Sequence, residues 1–292
     1  MDFNKQNLLQ RSIEIPKKII LIGKIIQFFS KSMATKFAAK LFVSPVKFPP
    51  TEREKMLYKS AQKTSLTISS IGKTIEVLQY GYSKKKVLFV HGWSGRSTQL
   101  FLTADKLLEH GYMYISFSGP AHCNSSGNST SMPEFIEAIK EINLQFGPFD
   151  VAIGHSFGGM CLYNSIAEGF SVKKIITIGA PDKISEVIRR FTDSMELKEV
   201  ISEKIKKTFD TKWRKNIDDH SSSTVSKNIS IPALVIHDSR DNDVLVSSAF
   251  KIRQSLKQGK ILITEGLGHT KILRNQKVTS RIIDFIKNEP IN

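Results

Sequence analysis

The chain has 292 residues, 40% of them apolar and 24% charged, which is enough apolar material for a sizeable core and excludes collagen-like, coiled-coil and miniature architectures. Forty-three basic residues against 27 acidic ones leave a formal charge of +16; half of the surplus lies in residues 1–60, with 12 Lys/Arg against 4 Asp/Glu, and no basic helix or aromatic-basic stripe follows, which argues against nucleic-acid binding. Two cysteines, Cys123 and Cys161, are too few for a disulfide framework or a Cys-rich metal site and point to a reducing, cytoplasmic setting.

Near the N-terminus, KKIILIGKIIQFFSKSMATKFAAKLFV (residues 17–43) repeats Ile22, Ile26, Phe29, Met33 and Phe37 at helical spacing, with Lys17, Lys24, Gln27 and Lys31 opposite. One amphipathic helix is predicted, within an N-terminal extension of residues 1–50. Lys24 and Lys31 interrupt the apolar run short of the roughly 20 residues a bilayer span requires. Lys24 also breaks the apolar stretch that a secretory cleavage site at Ser32-Met33-Ala34 would need before it. The favoured reading docks this helix on the protein's own core; the rival reading lays residues 17–43 on a membrane surface as a peripheral contact.

Beyond Pro45, Pro49 and Pro50 the pattern changes to alternation. SLTISS and TIEVLQY, separated by Ile71-Gly72-Lys73, read as an antiparallel hairpin. From Lys86 onward, apolar strands at KVLFV, YMYISF, DVAIG, KKIITIG, ALVIHD and KILITEG alternate with helical stretches near 97–110, 131–145, 158–168, 247–257 and 271–287. This order predicts an α/β fold over residues 51–292, a mainly parallel sheet with helices on both faces. The polar stretch from Asp182 to Asn228 breaks the rhythm. Structureless loops of that length are rare in compact domains, so it reads as a small helical cap at about 182–228.

The strand DVAI runs directly into Gly154-His155-Ser156-Phe157-Gly158-Gly159 and then a helix, which is the G-x-S-x-G pattern in a strand, turn, helix setting. A tight turn there projects the Ser156 hydroxyl above the sheet and aims the Phe157 amide at a reacting oxygen. A serine hydroxyl is a poor nucleophile near neutral pH; it needs a base that a carboxylate holds in the right tautomer. Asp241, 85 residues later in VIHDSRDNDV, and His269, a further 28 on in EGLGHT, follow the last two predicted strands and supply that pair in the order Ser, Asp, His. Asp238 and Asp243 flank the chosen acid as alternatives.

In these residues, and over about residues 60–288, the chain resembles serine hydrolases of the α/β-hydrolase superfamily. The resemblance implies Ser156 as nucleophile, Asp241 as acid, His269 as base, and an oxyanion hole made by the backbone N–H groups of Phe157 and of Trp93, from His91-Gly92-Trp93 after the third strand. It implies cleavage of a small-molecule carboxylic ester or thioester through an acyl-enzyme, without a cofactor. His110, His122, His220 and His237 have no partners at zinc-like spacing, so no metal is expected either. FSGPAHCNSSGNST resembles a family loop but carries Ser118 where Asp is usual and Cys123 where Gly is usual; Cys123 suits a position free of left-handed backbone and reads as a small buried side chain. His91 reads as a structural hydrogen bonder. The alternatives that use the same residues are an acyltransferase and a non-catalytic scaffold that binds membrane or protein.

Overall fold

β-branched and aromatic runs form one eight-stranded sheet in the computed structural model, which describes residues 14–287. β1 (Gln62–Ile68) and β2 (Lys73–Tyr80) make the hairpin, turning on Gly72 at φ 61°. β2 then pairs antiparallel with β4 (Met113–Ser118). β3 (Lys86–Val90), β5 (Phe149–His155), β6 (Val172–Ile178), β7 (Ala233–Asp238) and β8 (Gly259–Thr264) complete a parallel run in the spatial order β1-β2-β4-β3-β5-β6-β7-β8. The interior strands are buried on both faces, which is why they read as continuous apolar runs. Period-2 alternation divides their side chains: Leu88, Val90, Ile115 and Ala152 serve one core, Val87, Phe89, Tyr114 and Val151 the other.

β3 lies between β4 and β5, so the chain leaves β3 toward one side of the sheet and returns to its other side. At such a reversal the loops leaving the carboxyl ends of neighbouring strands diverge and open a crevice. The loops after β3 and β5 are those that carry Trp93 and Ser156.

Two short helices, α1 (Lys17–Phe29) and α2 (Lys31–Phe42), replace the single N-terminal helix predicted from periodicity. Ser30 breaks it in extended backbone, at φ −155° and ψ 114°, and its Oγ accepts from the Met33 N–H at 3.3 Å. A serine cap thus overrides the apolar spacing, and the predicted apolar face splits: Ile26 and Phe37 join the core, while Ile22, Phe29 and Met33 are exposed at 47%, 80% and 61%. The inner side does dock as expected. Lys24 Nζ pairs with Glu196 at 2.7 Å and Gln27 Oε1 accepts from the Lys198 N–H at 2.7 Å. No helix among the described residues is long and apolar enough to cross a membrane.

α3 (Glu52–Ser60) was not anticipated, although Thr51 and Glu54 spell its capping box: the Thr51 N–H donates to Glu54 Oε2 at 2.6 Å and the Glu54 N–H to Thr51 Oγ1 at 3.4 Å. One core holds α4 (Phe101–Glu109) on one face of the sheet; α5 (Met132–Phe146) and α6 (Phe157–Ala167) pack on the other. Between β6 and β7 the polar stretch folds as α7 (Ile184–Ser194), α8 (Glu199–Trp213) and α9 (Ser222–Ser226), which bury Ile188, Ile201, Ile205 and Phe209 and leave the lysine-rich side of α8 to solvent. α10 (Ser247–Ser255) follows β7, and after β8 come the short α11 (Gly268–Lys271) and the closing α12 (Gln276–Lys287), which packs on α4.

The turn after β4 corrects another expectation. Cys123 adopts left-handed backbone at φ 45°, as does Ala121 at φ 67°, and the Cys123 side chain is half-buried rather than buried. One bond from outside and one within the loop hold the turn: Lys47 Nζ donates to the Cys123 carbonyl at 2.6 Å, and the Ala121 N–H to the Ser126 carbonyl at 2.9 Å. Left-handed backbone costs an L residue about 1–2 kcal/mol, and β-branching worsens it. Cys123 already bears that cost, so Cys123→Val should lower unfolding free energy in urea only by the added penalty of β-branching, whereas Cys123→Gly should leave stability equal or slightly higher.

Candidate active site

Ser156 joins β5 to α6 at φ 51° and ψ −124°, a conformation that serine adopts only under constraint. The constraint is visible. The Ser156 N–H donates to the Ile178 carbonyl at 2.8 Å, and the Gly159 N–H donates back to the Ser156 carbonyl at 2.9 Å. The two elbow glycines let the backbones close in: a Cβ on Gly154 would stand 2.6 Å from Gly159 Cα, and one on Gly158 would collide with the Val90 carbonyl. Phe157 is the first residue of α6, so its N–H has no carbonyl one turn earlier to bond.

His269, on α11, meets Asp241, in the turn after β7, through an Nδ1 to Oδ2 hydrogen bond of 2.6 Å. An ionised carboxylate only accepts, so Nδ1 carries the proton and Nε2 is left as a base. Asp241 is itself fixed, its Oδ1 accepting from the Asp243 and Val244 N–H groups at 2.8 and 2.9 Å. Burial alone would raise the Asp241 pKa, yet the charge and hydrogen bond of His269 hold it below the usual carboxylate range. Burial likewise works against a charged His269, but the Asp241 charge and hydrogen bond, with help from Asp243, lift it above the ordinary histidine value. Asp238 does other work: its Oδ2 accepts from Thr264 Oγ1 at 2.7 Å and the Leu267 N–H at 2.9 Å, which anchors the loop before His269. Asp243 sits closer, with ligand-type atoms of Asp241, Asp243 and His269 all within 4.8 Å of one another, but the short hydrogen bond already joins the facing Asp241 and His269 atoms.

Other histidines brace the site in neutral form. His91 Nδ1 donates to the Gly92 carbonyl at 2.7 Å while its Nε2 accepts from the Gly119 N–H at 2.8 Å, a structural role as expected. His122 repeats the device, Nδ1 donating to the Pro120 carbonyl at 3.0 Å and Nε2 accepting from the Ser94 N–H at 3.1 Å. Together they tie the loop holding Trp93 to the loop after β4. Burial pushes the His122 pKa down to about 4 and that of His91 well below the usual value. His155 is the one whose task the sequence did not reveal: its Nε2 donates to the His269 carbonyl at 3.0 Å, and burial, followed by the His269 charge, lowers its pKa to about 3. His237 Nε2 donates to the Val244 carbonyl at 2.9 Å, behind Asp241.

Ser156, Phe157, Trp93 and His269 line one cavity of about 520 Å³, with Asp241 buried behind His269. Its walls are mainly apolar. They come from the cap, through Ile184, Phe191 and Phe209, and from the N-terminal helices, through Ile19, Leu41 and Phe42. The Phe42 ring stacks on Trp93 with centroids 6.4 Å apart, and Trp93 meets Phe157 edge to face at 5.4 Å. No local pattern in the sequence announces the wall at Phe42, because the contact is so distant in sequence.

The fold has counterparts elsewhere. Residues 85–211 match the model of the alpha/beta hydrolase fold family. Among solved structures, the esterase Pf2001 of Pyrococcus furiosus superposes with a TM-score of 0.66 at 18% identity, over 84% of this chain and 98% of its own. A membrane phospholipase A, a bacterial virulence factor, superposes at 0.62 and 16% identity over 94% of this chain and 97% of its own, and a bromoperoxidase from Bacillus anthracis at 0.61 and 17% over 78% and 100%. These likenesses establish the fold. No curated protein matches the sequence.

Proposed function

The chain is an α/β-hydrolase-fold protein, and on that premise we propose that it is a serine hydrolase of carboxylic esters or thioesters with hydrophobic acyl groups. The observation that carries the reading is Ser156 on its strained turn, sharing a cavity with a histidine that Asp241 holds at 2.6 Å. Ser156 Oγ attacks the acyl carbonyl carbon while its proton passes to His269 Nε2. The Trp93 and Phe157 N–H groups stabilise the oxyanion that forms, a role in which loss of one donor typically costs about a hundred- to a thousandfold in rate. As the intermediate collapses, His269 gives its proton to the departing alcohol or thiol, leaving an acyl ester on Ser156. A water deprotonated by His269 then attacks that ester, and the acid leaves as Ser156 regains its proton.

The apolar walls argue for the substrate class. A cavity of about 520 Å³ lies within the usual range for ligand pockets, and although Arg96, Arg190 and Arg274 also line it, its mainly aromatic and aliphatic walls favour a hydrocarbon acyl group. Each methylene buried contributes about 0.8 kcal/mol, or roughly fourfold in kcat/KM. p-Nitrophenyl esters from acetate to decanoate should accordingly be hydrolysed with kcat/KM rising by about that factor per methylene until the cavity fills, and a fluorophosphonate should abolish turnover of all of them. A flat dependence on chain length would refute the assignment of the apolar walls, and failure to turn over any ester would refute the activity.

A further inference from the structure

α1 is apolar on two sides. Its inner side, through Ile19, Gly23 and Ile26, faces the core and the segment at Met195 and Leu197. Its outer side shows Leu21, Ile22, Ile25, Phe28 and Phe29 at helical spacing, exposed at 58%, 47%, 49%, 85% and 80%, and Met33 at the start of α2 extends the stripe at 61%. A helix that only packs on its own domain turns polar residues outward; here large side chains stand in solvent, with the Phe28 and Phe29 rings edge to face at 5.3 Å. Charge surrounds them. Residues 17–42 contain six lysines and no acidic residue, and Lys17, Lys18, Lys24, Lys31, Lys36 and Lys40 are all exposed.

From this juxtaposition we propose that the outer face of α1 and the start of α2 dock the protein on anionic phospholipid bilayers, the helices lying in the plane of the surface. Apolar side chains at the centre of the face enter the boundary of the acyl region, while Lys17, Lys18, Lys31, Lys36 and Lys40 meet headgroup phosphates, Lys24 being held by Glu196. The charge pattern favours lipid over a second copy of the chain, since a two-fold contact through this face would set lysines against lysines. The same helices reach the cavity on another side, through Ile19, Leu41 and Phe42. A protein docked this way holds its apolar pocket next to the phase in which hydrophobic esters dissolve.

Co-sedimentation of the full chain with vesicles tests the docking. Wild type should bind vesicles of phosphatidylcholine with phosphatidylglycerol, bind pure phosphatidylcholine at least about tenfold more weakly, and lose affinity as salt shortens the Debye length. Phe28→Ser combined with Phe29→Ser should weaken binding about tenfold or more yet keep wild-type hydrolysis of a soluble short-chain ester, because neither ring lines the cavity. Ser156→Ala should bind vesicles as wild type does, so the docking and the activity stand or fall separately. Absence of binding to anionic vesicles, undiminished binding by the double variant, or lipid-free self-association that the double variant abolishes would each overturn the proposal.

Discussion

Ser156→Ala is expected to reduce ester turnover by about a millionfold, as loss of a serine nucleophile does when its partners can no longer act, and to eliminate labelling by a fluorophosphonate. The substitution deletes one oxygen from a half-buried side chain and leaves the bonds that impose the turn, from Ser156 N–H to the Ile178 carbonyl and from Gly159 N–H to the Ser156 carbonyl. Alanine meets the same backbone strain as serine, so the melting temperature should stay close to that of the wild type. Residual activity of about a thousandfold over water would remain from the oxyanion donors and substrate binding. Labelling that survives in the alanine variant would place the nucleophile elsewhere.

The strands were legible because their signals are local. Alternation marks β1 and β2, and continuous apolar runs mark the doubly covered strands from β3 to β7. Helix ends at the N-terminus were less legible, since apolar periodicity continues through Ser30 as though no cap were there, and the prolines before Thr51 drew attention from the capping box just beyond them. The final helix begins at Gln276, later than its apolar pattern suggests, because α11 first turns to present His269.

The proposed Ser156, Asp241 and His269 could be picked out through chain order and the strand ends that carry them. What holds them could not be read in the same way. His155 occupies a position of the elbow where any residue fits, and its bond to the His269 carbonyl exists only once β5 and the loop after β8 are side by side. The left-handed turn at Cys123 is likewise set by Lys47 across 76 residues, so the side chain at the turn gives no sign of it. Phe42 reaches Trp93 by the same kind of long-range packing, and with it the pocket gains a wall that composition alone leaves in a separate extension.

Asp241→Asn should lower the kcat/KM plateau by about ten-thousandfold and also move its pH dependence, and the second effect identifies the acid. In the wild type the base must be neutral, and Asp241 raises the His269 pKa above the usual 6.5, so kcat/KM should climb with pH through a value above 6.5 and then level off. Removing the carboxylate takes away the main influence that favours the charged ring, while burial, which disfavours it, remains. The rising limb should therefore shift to lower pH even as the plateau falls. A purely structural role for Asp241 would reduce the plateau without moving the limb. Asp238→Asn provides the contrast: it loosens the acceptor of Thr264 and Leu267 and should depress the melting temperature while leaving the limb in place. If Asp238→Asn shifted the limb and Asp241→Asn did not, the orienting carboxylate would be Asp238, and the 2.6 Å bond from His269 to Asp241 would have to be read as bracing rather than as part of the proton path.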